Sequence, residues 1–179
     1  MDSYSIMAEN ILPYIQPLIN SSSLNATQKE SYNLISKWNK YFDAKSVAAS
    51  VFDLWTKRLA TEIWEDDFGD KDAPMRYPSR DRTIEMIQKD PNSKWFDNVK
   101  TPEKETLTDL VNSSFKYACD SLERKHGPIG KNWQWGNVKN SNVPHLAKIP
   151  GFGSKKLFIG GSKSTINALS ESNGPSWRM

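Results

Sequence analysis

Apolar residues recur at three- and four-residue steps through the first two thirds of this chain and then lose that rhythm, which predicts a helical part followed by an irregular one. Met7, Ile11, Ile15 and Leu18 form one stripe of a helix within residues 3–19. Pro13 and Pro17 interrupt it, so its second half is expected to kink or end early. Residues 21–25 read as a polar loop. Thr27, with Glu30 three positions on, reads as a capping box opening a helix that turns Tyr32, Ile35 and Trp38 inward. After a short break, Val47, Val51, Leu54, Trp55, Leu59 and Ile63 mark a helix of about five turns, the strongest periodic pattern in the chain. Residues 65–80 hold five acids, a glycine and two prolines and read as an irregular surface excursion. Ile84 and Ile87 predict a short helix over 82–88, closed by Asp90-Pro91-Asn92, and Trp95 and Phe96 then dock on the body. Thr101-Pro102 reads as an N-cap with proline at the first helical position, followed by the row Leu107, Val111, Phe115, Ala118 and Leu122. His126 and Gly127 end that helix. Beyond it, glycine and proline punctuate the chain so often that only short strands fit, at 157–159 and 176–179. The pattern predicts an α+β chain, predominantly helical, with residues 1–127 mainly helical and residues 128–179 rich in glycine and proline.

Composition narrows the reading. In a chain of 179 residues, 37% hydrophobic content and a mean hydropathy of -0.68 leave a modest core, which seven tryptophans partly make up. The net charge of +3 is small, and basic and acidic residues alternate, as in Glu123-Arg124-Lys125. That is a solvated surface and not a nucleic-acid stripe; only the pI near 8.9 speaks for a nucleic-acid partner. No run approaches the roughly 20 apolar residues of a bilayer span. Met1-Asp2-Ser3-Tyr4 lacks the pattern of a signal peptide.

Isolated reactive groups are few. The single Cys119 excludes an internal disulfide and any multi-cysteine zinc site. It lies seven residues from His126 on one predicted helix face, and the reading is a buried, inert thiol beside a helix-end histidine. Asp66, Asp67, Asp70 and Asp72 do not follow the spacing of a calcium loop. No nucleophile-elbow pattern links a serine to His126 or His145. Gly151-x-Gly153 and Gly160-Gly161 read as turn glycines, since neither stands in a phosphate-loop motif.

The last third carries a linked set of landmarks: Trp133-Gln-Trp135-Gly136, His145, Gly160-Gly161, Thr165-Ile166-Asn167, and Gly174-Pro175-Ser176-Trp177-Arg178. In that order and spacing they resemble the penicillin acylase (penicillin amidase) family of N-terminal-nucleophile hydrolases. The resemblance extends to residues 38–64, where a Trp-Asn/Asp-Gly-type step precedes a helix with small residues, here Ala48 and Ala49, at its start. Lys40 departs from that glycine. Lys139 stands where the family commonly has a second histidine, and Val143 where it has an aromatic.

What the resemblance implies is an internal segment of the second, β chain of an amidase with an αββα sandwich, its helical region leading into the central sheet. The parent hydrolyses a linear amide through an N-terminal serine whose own α-amino group is the base. Met1 and Asp2 supply no such nucleophile, and the catalytic asparagine, oxyanion donors and calcium carboxylates of the family precede this stretch. No catalytic or metal residue is therefore carried over, and no cofactor is expected in the segment, although calcium is implied for the whole enzyme. Trp133 and Trp135, two apart, are expected on one side of an extended segment, lining an acyl pocket or covering the helices. Arg178 is expected to anchor a strand. The implied partners are the α chain, the rest of the β chain and a small acylated amine, such as a β-lactam side-chain amide or an acyl-homoserine lactone, in a periplasmic or extracellular setting. No nucleic acid or membrane partner is expected. A non-catalytic helical interaction module is the alternative.

Overall fold

Each of the longer helices begins on a side-chain cap, and the caps decide where the periodic rows become structure. The computed structural model describes residues 2–69, 75–143, 149 and 152–166. Ser5 Oγ accepts from the backbone N–H of Ala8 at 3.1 Å and opens α1 (Ile6–Ile15), which buries Ala8, Ile11, Leu12 and Ile15. The helix runs through Pro13 and gives way to a 3-10 turn, Gln16–Leu18, with Pro17 in its first positions. A second 3-10 turn, Ser21–Ser23, replaces the expected loop.

Helix α2 (Ala26–Ser36) corrects the first capping assignment. Asn25 and Gln28 form the box, with Asn25 Oδ1 accepting from the Gln28 N–H at 2.8 Å and Gln28 Oε1 from the Asn25 N–H at 3.1 Å. Thr27 instead donates to Glu123 Oε1 at 3.2 Å. Ile35 is buried, whereas Tyr32 and Trp38 are only partly so.

Ser46 caps α3 (Val47–Phe68), and this helix forms the axis of the molecule with α5 (Leu107–His126). Between them Trp55 is fully buried, its ring edge-on to Phe115 at 5.1 Å and its Nε1 donating to the Val111 oxygen at 3.3 Å. One tryptophan thus supplies apolar area and also a satisfied polar handle. The α3 helix runs to Phe68, so residues 65–68 are helical and not part of a surface excursion. Trp64, just before that stretch, is buried and meets Phe68 edge-on at 5.8 Å, and this burial carries the helix past the acids.

Helix α5 starts later than expected. Thr106 and Asp109 make its capping box, while Thr101 bonds Glu105 and the turn around it. Gly127 closes the helix at φ 76°, a conformation that favours glycine. Between the two long helices lies α4 (Arg80–Lys89), which packs on α1; Gln88 Nε2 donates to the Asn10 oxygen at 2.8 Å. In the 3-10 turn Lys94–Phe96, Phe96 is buried and Trp95 is the more exposed of the pair.

The segment after Gly127 is less strand-like than its glycines suggest. A 3-10 turn, Lys131–Trp133, leads into α6 (Trp135–Lys139), and two short antiparallel strands follow, β1 (Ser141–Val143) and β2 (Ser154–Leu157). The strand expected at 157–159 therefore lies earlier. Pairing of Ser141 with Leu157 and Val143 with Ser154, across a bulge with Lys156 at φ 54°, sets its limits. The strand expected at 176–179 falls outside the described residues. The described chain is predominantly helical α+β.

Cys119 is fully buried on α5, and burial pushes its thiol from 9.0 up to about 12. The thiolate is the reactive form, so Cys119 should resist iodoacetamide at pH 8 in the folded chain and label completely in denaturant. Labelling at equal rates in both would contradict the packing. The sign for stability follows: the unfolded thiol ionises first, so this group costs the folded state stability as pH climbs from the ordinary thiol range toward about 12.

Candidate functional site

Residues 40–46 connect α2 to α3 and hold no periodic pattern, yet three distant stretches close on them. On one side, the Ser5 N–H donates to the Lys40 oxygen at 3.0 Å and the Phe42 N–H to the Ser3 oxygen at 2.8 Å, around a Tyr4–Tyr41 bridge. On the other, the oxygens of Phe42, Ala44 and Ser46 accept in turn from the N–H groups of Gly161 (2.8 Å), Gly136 (2.8 Å) and Trp135 (2.9 Å). Lys40 enters this segment at φ 67°, the left-handed region, which gives a conformational reason for glycine in the resembling family at this step.

The tryptophans are correspondingly not paired on an extended segment. Trp133 ends a 3-10 turn and Trp135 begins α6, because the two amides at 135 and 136 are committed to residues 44 and 46. Both indoles are buried: Trp133 Nε1 donates to the Gly127 oxygen at 2.9 Å, and Trp135 Nε1 to the Gly161 oxygen at 2.8 Å. Trp135 also meets Phe42 edge-on at 5.0 Å. Neither indole is left open to solvent, and within this chain both act as packing.

Lys139 completes the corner. Only 4% exposed, it sends its Nζ to the oxygens of Gly160 and Gly161 at 2.9 and 2.8 Å. An ammonium this deep needs such acceptors, since an unpaired buried charge is costly. The sequence named Lys139 only as a departure from a histidine. Nothing local announces its burial, because the acceptors lie about twenty residues away.

Gly160 is required by space. A Cβ there would stand 2.7 Å from the Phe42 oxygen and 3.3 Å from the Ala44 nitrogen, both backbone atoms. Gly160→Ala should cost about 1–3 kcal/mol, the range of core overpacking, read as a lower urea midpoint with unchanged slope. An unchanged midpoint would mean that the corner yields freely. At Gly136 a Cβ would meet the half-exposed Phe158 ring at 2.6 Å, a neighbour better able to move.

Chemically, the corner consists of amides, carbonyls, indoles and one ammonium. The hydroxyls of Ser162, Ser164 and Thr165 bond one another and the backbone of their own turn. The arrangement can fix several chain segments in register. Among the described residues it sets no nucleophile beside a base. Among the described residues no three His, Cys, Asp or Glu side chains gather to hold a metal ion, and Asp66 sits in α3, accepting from the Val99 N–H at 3.0 Å. Of the expected landmarks, the structure brings together Trp135, Gly136, Gly160 and Gly161, with Trp133 packed beside them against the end of α5. His145, Asn167, Gly174, Pro175, Ser176 and Arg178 lie outside the described residues.

A family model described as penicillin amidase matches residues 1–179. The acyl-homoserine lactone acylase QuiP of Pseudomonas syringae pv. syringae is 26% identical over 156 residues, covering 78% of this chain and 18% of the relative. The acyl-homoserine lactone acylase QuiP of Pseudomonas aeruginosa is 23% identical over 120 residues, covering 62% and 14%. This chain thus spans less than a fifth of the length of these curated relatives. No helix among the described residues is long and apolar enough to cross a membrane. Matched from its first residue to its last, the chain belongs to the penicillin amidase family.

Proposed function

We propose that this chain is the helical, non-nucleophilic part of an enzyme that hydrolyses linear amides, releasing an acyl group from an amine. The observation that carries the reading is the family match along all 179 residues, which includes the interlocked corner at Trp135, Lys139 and Gly161. In this reading the corner is scaffold. Residues 1–127 form helical cover, and residues 128–179 lead toward the central sheet of an αββα sandwich. A serine at the N-terminus of a chain segment outside this sequence attacks the amide carbonyl, its α-amino group takes the hydroxyl proton, and the amine leaves with that proton. Water then cleaves the acyl ester. An acyl-homoserine lactone is the favoured amide, because the relatives matched carry that name; a β-lactam side-chain amide is the second candidate, from the family description. The partners are then the remaining chains of the enzyme, in a periplasmic or extracellular setting. A calcium ion, if the whole enzyme holds one, has no ligand set among the described residues, and no step here runs through it.

The test is an assay for free homoserine lactone, and in parallel for amine released from a penicillin side-chain amide. It is run on the native protein that contains this sequence and on the 179-residue chain alone. Turnover is expected in the first and none in the second. Turnover by the chain alone overturns the proposal, as does a native protein inert toward both amides.

A further inference from the structure

Helix α4 rests on α1, and where it faces α3 the three helices leave a cavity of about 370 Å3. Its inner walls are apolar: Met7 and Ile11 of α1, Phe52 and Leu59 of α3, Ile84 and Ile87 of α4. Ligand pockets span about 300–1,000 Å3, so this one suits a small molecule. One hydrogen bond, from Trp64 Nε1 to Thr83 Oγ1 at 3.0 Å, ties α3 to α4 beside it.

The polar groups of the lining are largely committed elsewhere. Thr56 donates to the Phe52 oxygen, Thr61 to the Lys57 oxygen and Thr83 to the Ser79 oxygen, each back into its own helix or cap. Asp53 and Lys57 pair with one another at 2.8 Å. Two lining residues remain, three apart in the chain: Tyr77 and Arg80, whose hydroxyl and guanidinium make no hydrogen bond or ion pair among the described residues. Burial, and then the Glu65 carboxylate, push the Tyr77 phenol above its ordinary value, so it remains a hydrogen-bond donor. The lining therefore offers an apolar interior, the Arg80 guanidinium without an ion pair among the described residues, and the neutral Tyr77 phenol three residues before it.

We propose that this cavity binds a small carboxylate with an unbranched apolar tail, the tail between α1, α3 and α4 and the carboxylate on Arg80 and Tyr77. A guanidinium fork matches a carboxylate through two parallel hydrogen bonds, and the walls offer the rest of the ligand nothing but dispersion and burial. The inference rests on the cavity alone and stands apart from the amide-hydrolase reading.

The experiment is calorimetric titration of the full chain with octanoate, octanol and octylammonium. Octanoate should bind, and octylammonium should bind at least about tenfold more weakly, the scale of one charge-assisted hydrogen bond. Arg80→Gln, at an exposed position, should weaken octanoate roughly tenfold and leave octanol unchanged. Ala60→Trp, which fills the cavity from α3, should abolish binding of both while the circular dichroism stays helical; if that variant fails to fold, Arg80→Gln decides. Failure of octanoate to bind the native chain, equal affinity for all three ligands, or an Arg80→Gln chain that holds octanoate as tightly as before each overturns the proposal.

Discussion

Trp135→Ala should lower stability by about 3–5 kcal/mol, the range for deleting a buried large aromatic side chain. The residue is 1% exposed, lies edge-on to Phe42, and donates through Nε1 to Gly161. Its removal takes away apolar area, a ring pair, and a donor to a buried carbonyl. Trp135→Phe separates these contributions: most of the packing survives, and about 1–2 kcal/mol should go with the hydrogen bond and the smaller ring. Urea unfolding followed by circular dichroism reads both variants. If alanine costs under about 1 kcal/mol, the corner is not the closed unit described above.

Lys139→Met should cost about 2–4 kcal/mol, since it removes two charge-assisted hydrogen bonds while keeping most of the side-chain volume. Its Nζ meets two successive oxygens, and the two do not lose equally. Gly161 retains Trp135 Nε1 as a donor, whereas Gly160 is left without the ammonium. The double variant with Trp135→Phe should therefore be worse than the sum of the singles, because the Gly161 oxygen then loses both side-chain donors. Coupling between groups that share a partner runs to about 0.5–3 kcal/mol. A cycle that closes to zero would mean that the indole and the ammonium act independently.

The parts of this fold that could be read in the chain are those whose partners sit three or four residues away. The rows Val51, Trp55, Leu59, Ile63 and Val111, Phe115, Ala118, Leu122 became α3 and α5 because one face of each had to be covered by the other. Helix starts were less legible. Asn25-x-x-Gln28 and Thr27-x-x-Glu30 both satisfy the capping pattern within a few residues of each other, and local sequence does not choose between them. Tertiary structure does, through Gln28 Nε2 on Asp120 at 2.9 Å and Thr27 on Glu123. Thr101-Pro102 lost to Thr106 for a related reason: Thr101 bonds Glu105, and Asp97 and Asp109 hold the N–H groups of Glu105 and Thr106.

At the site, the identities of the landmark residues were legible and their geometry was not. Two tryptophans two apart suggest an extended strand, yet the amides of 135 and 136 answer to carbonyls in residues 44 and 46, which no short window contains. The same distance hides Lys139, whose surroundings resemble those of a surface lysine until Gly160 and Gly161 arrive.

The acceptors at Phe42, Ala44 and Ser46 lie between α2 and α3, while their donors come from residues 135–161. During synthesis the helices up to His126 can assemble around Trp55 while those three carbonyls still face water. Their desolvation waits for residues 135–161. Closure of this side of the linker thus depends on residues 135–161, and a variant lacking them would keep a helical body with an open, hydrated seam.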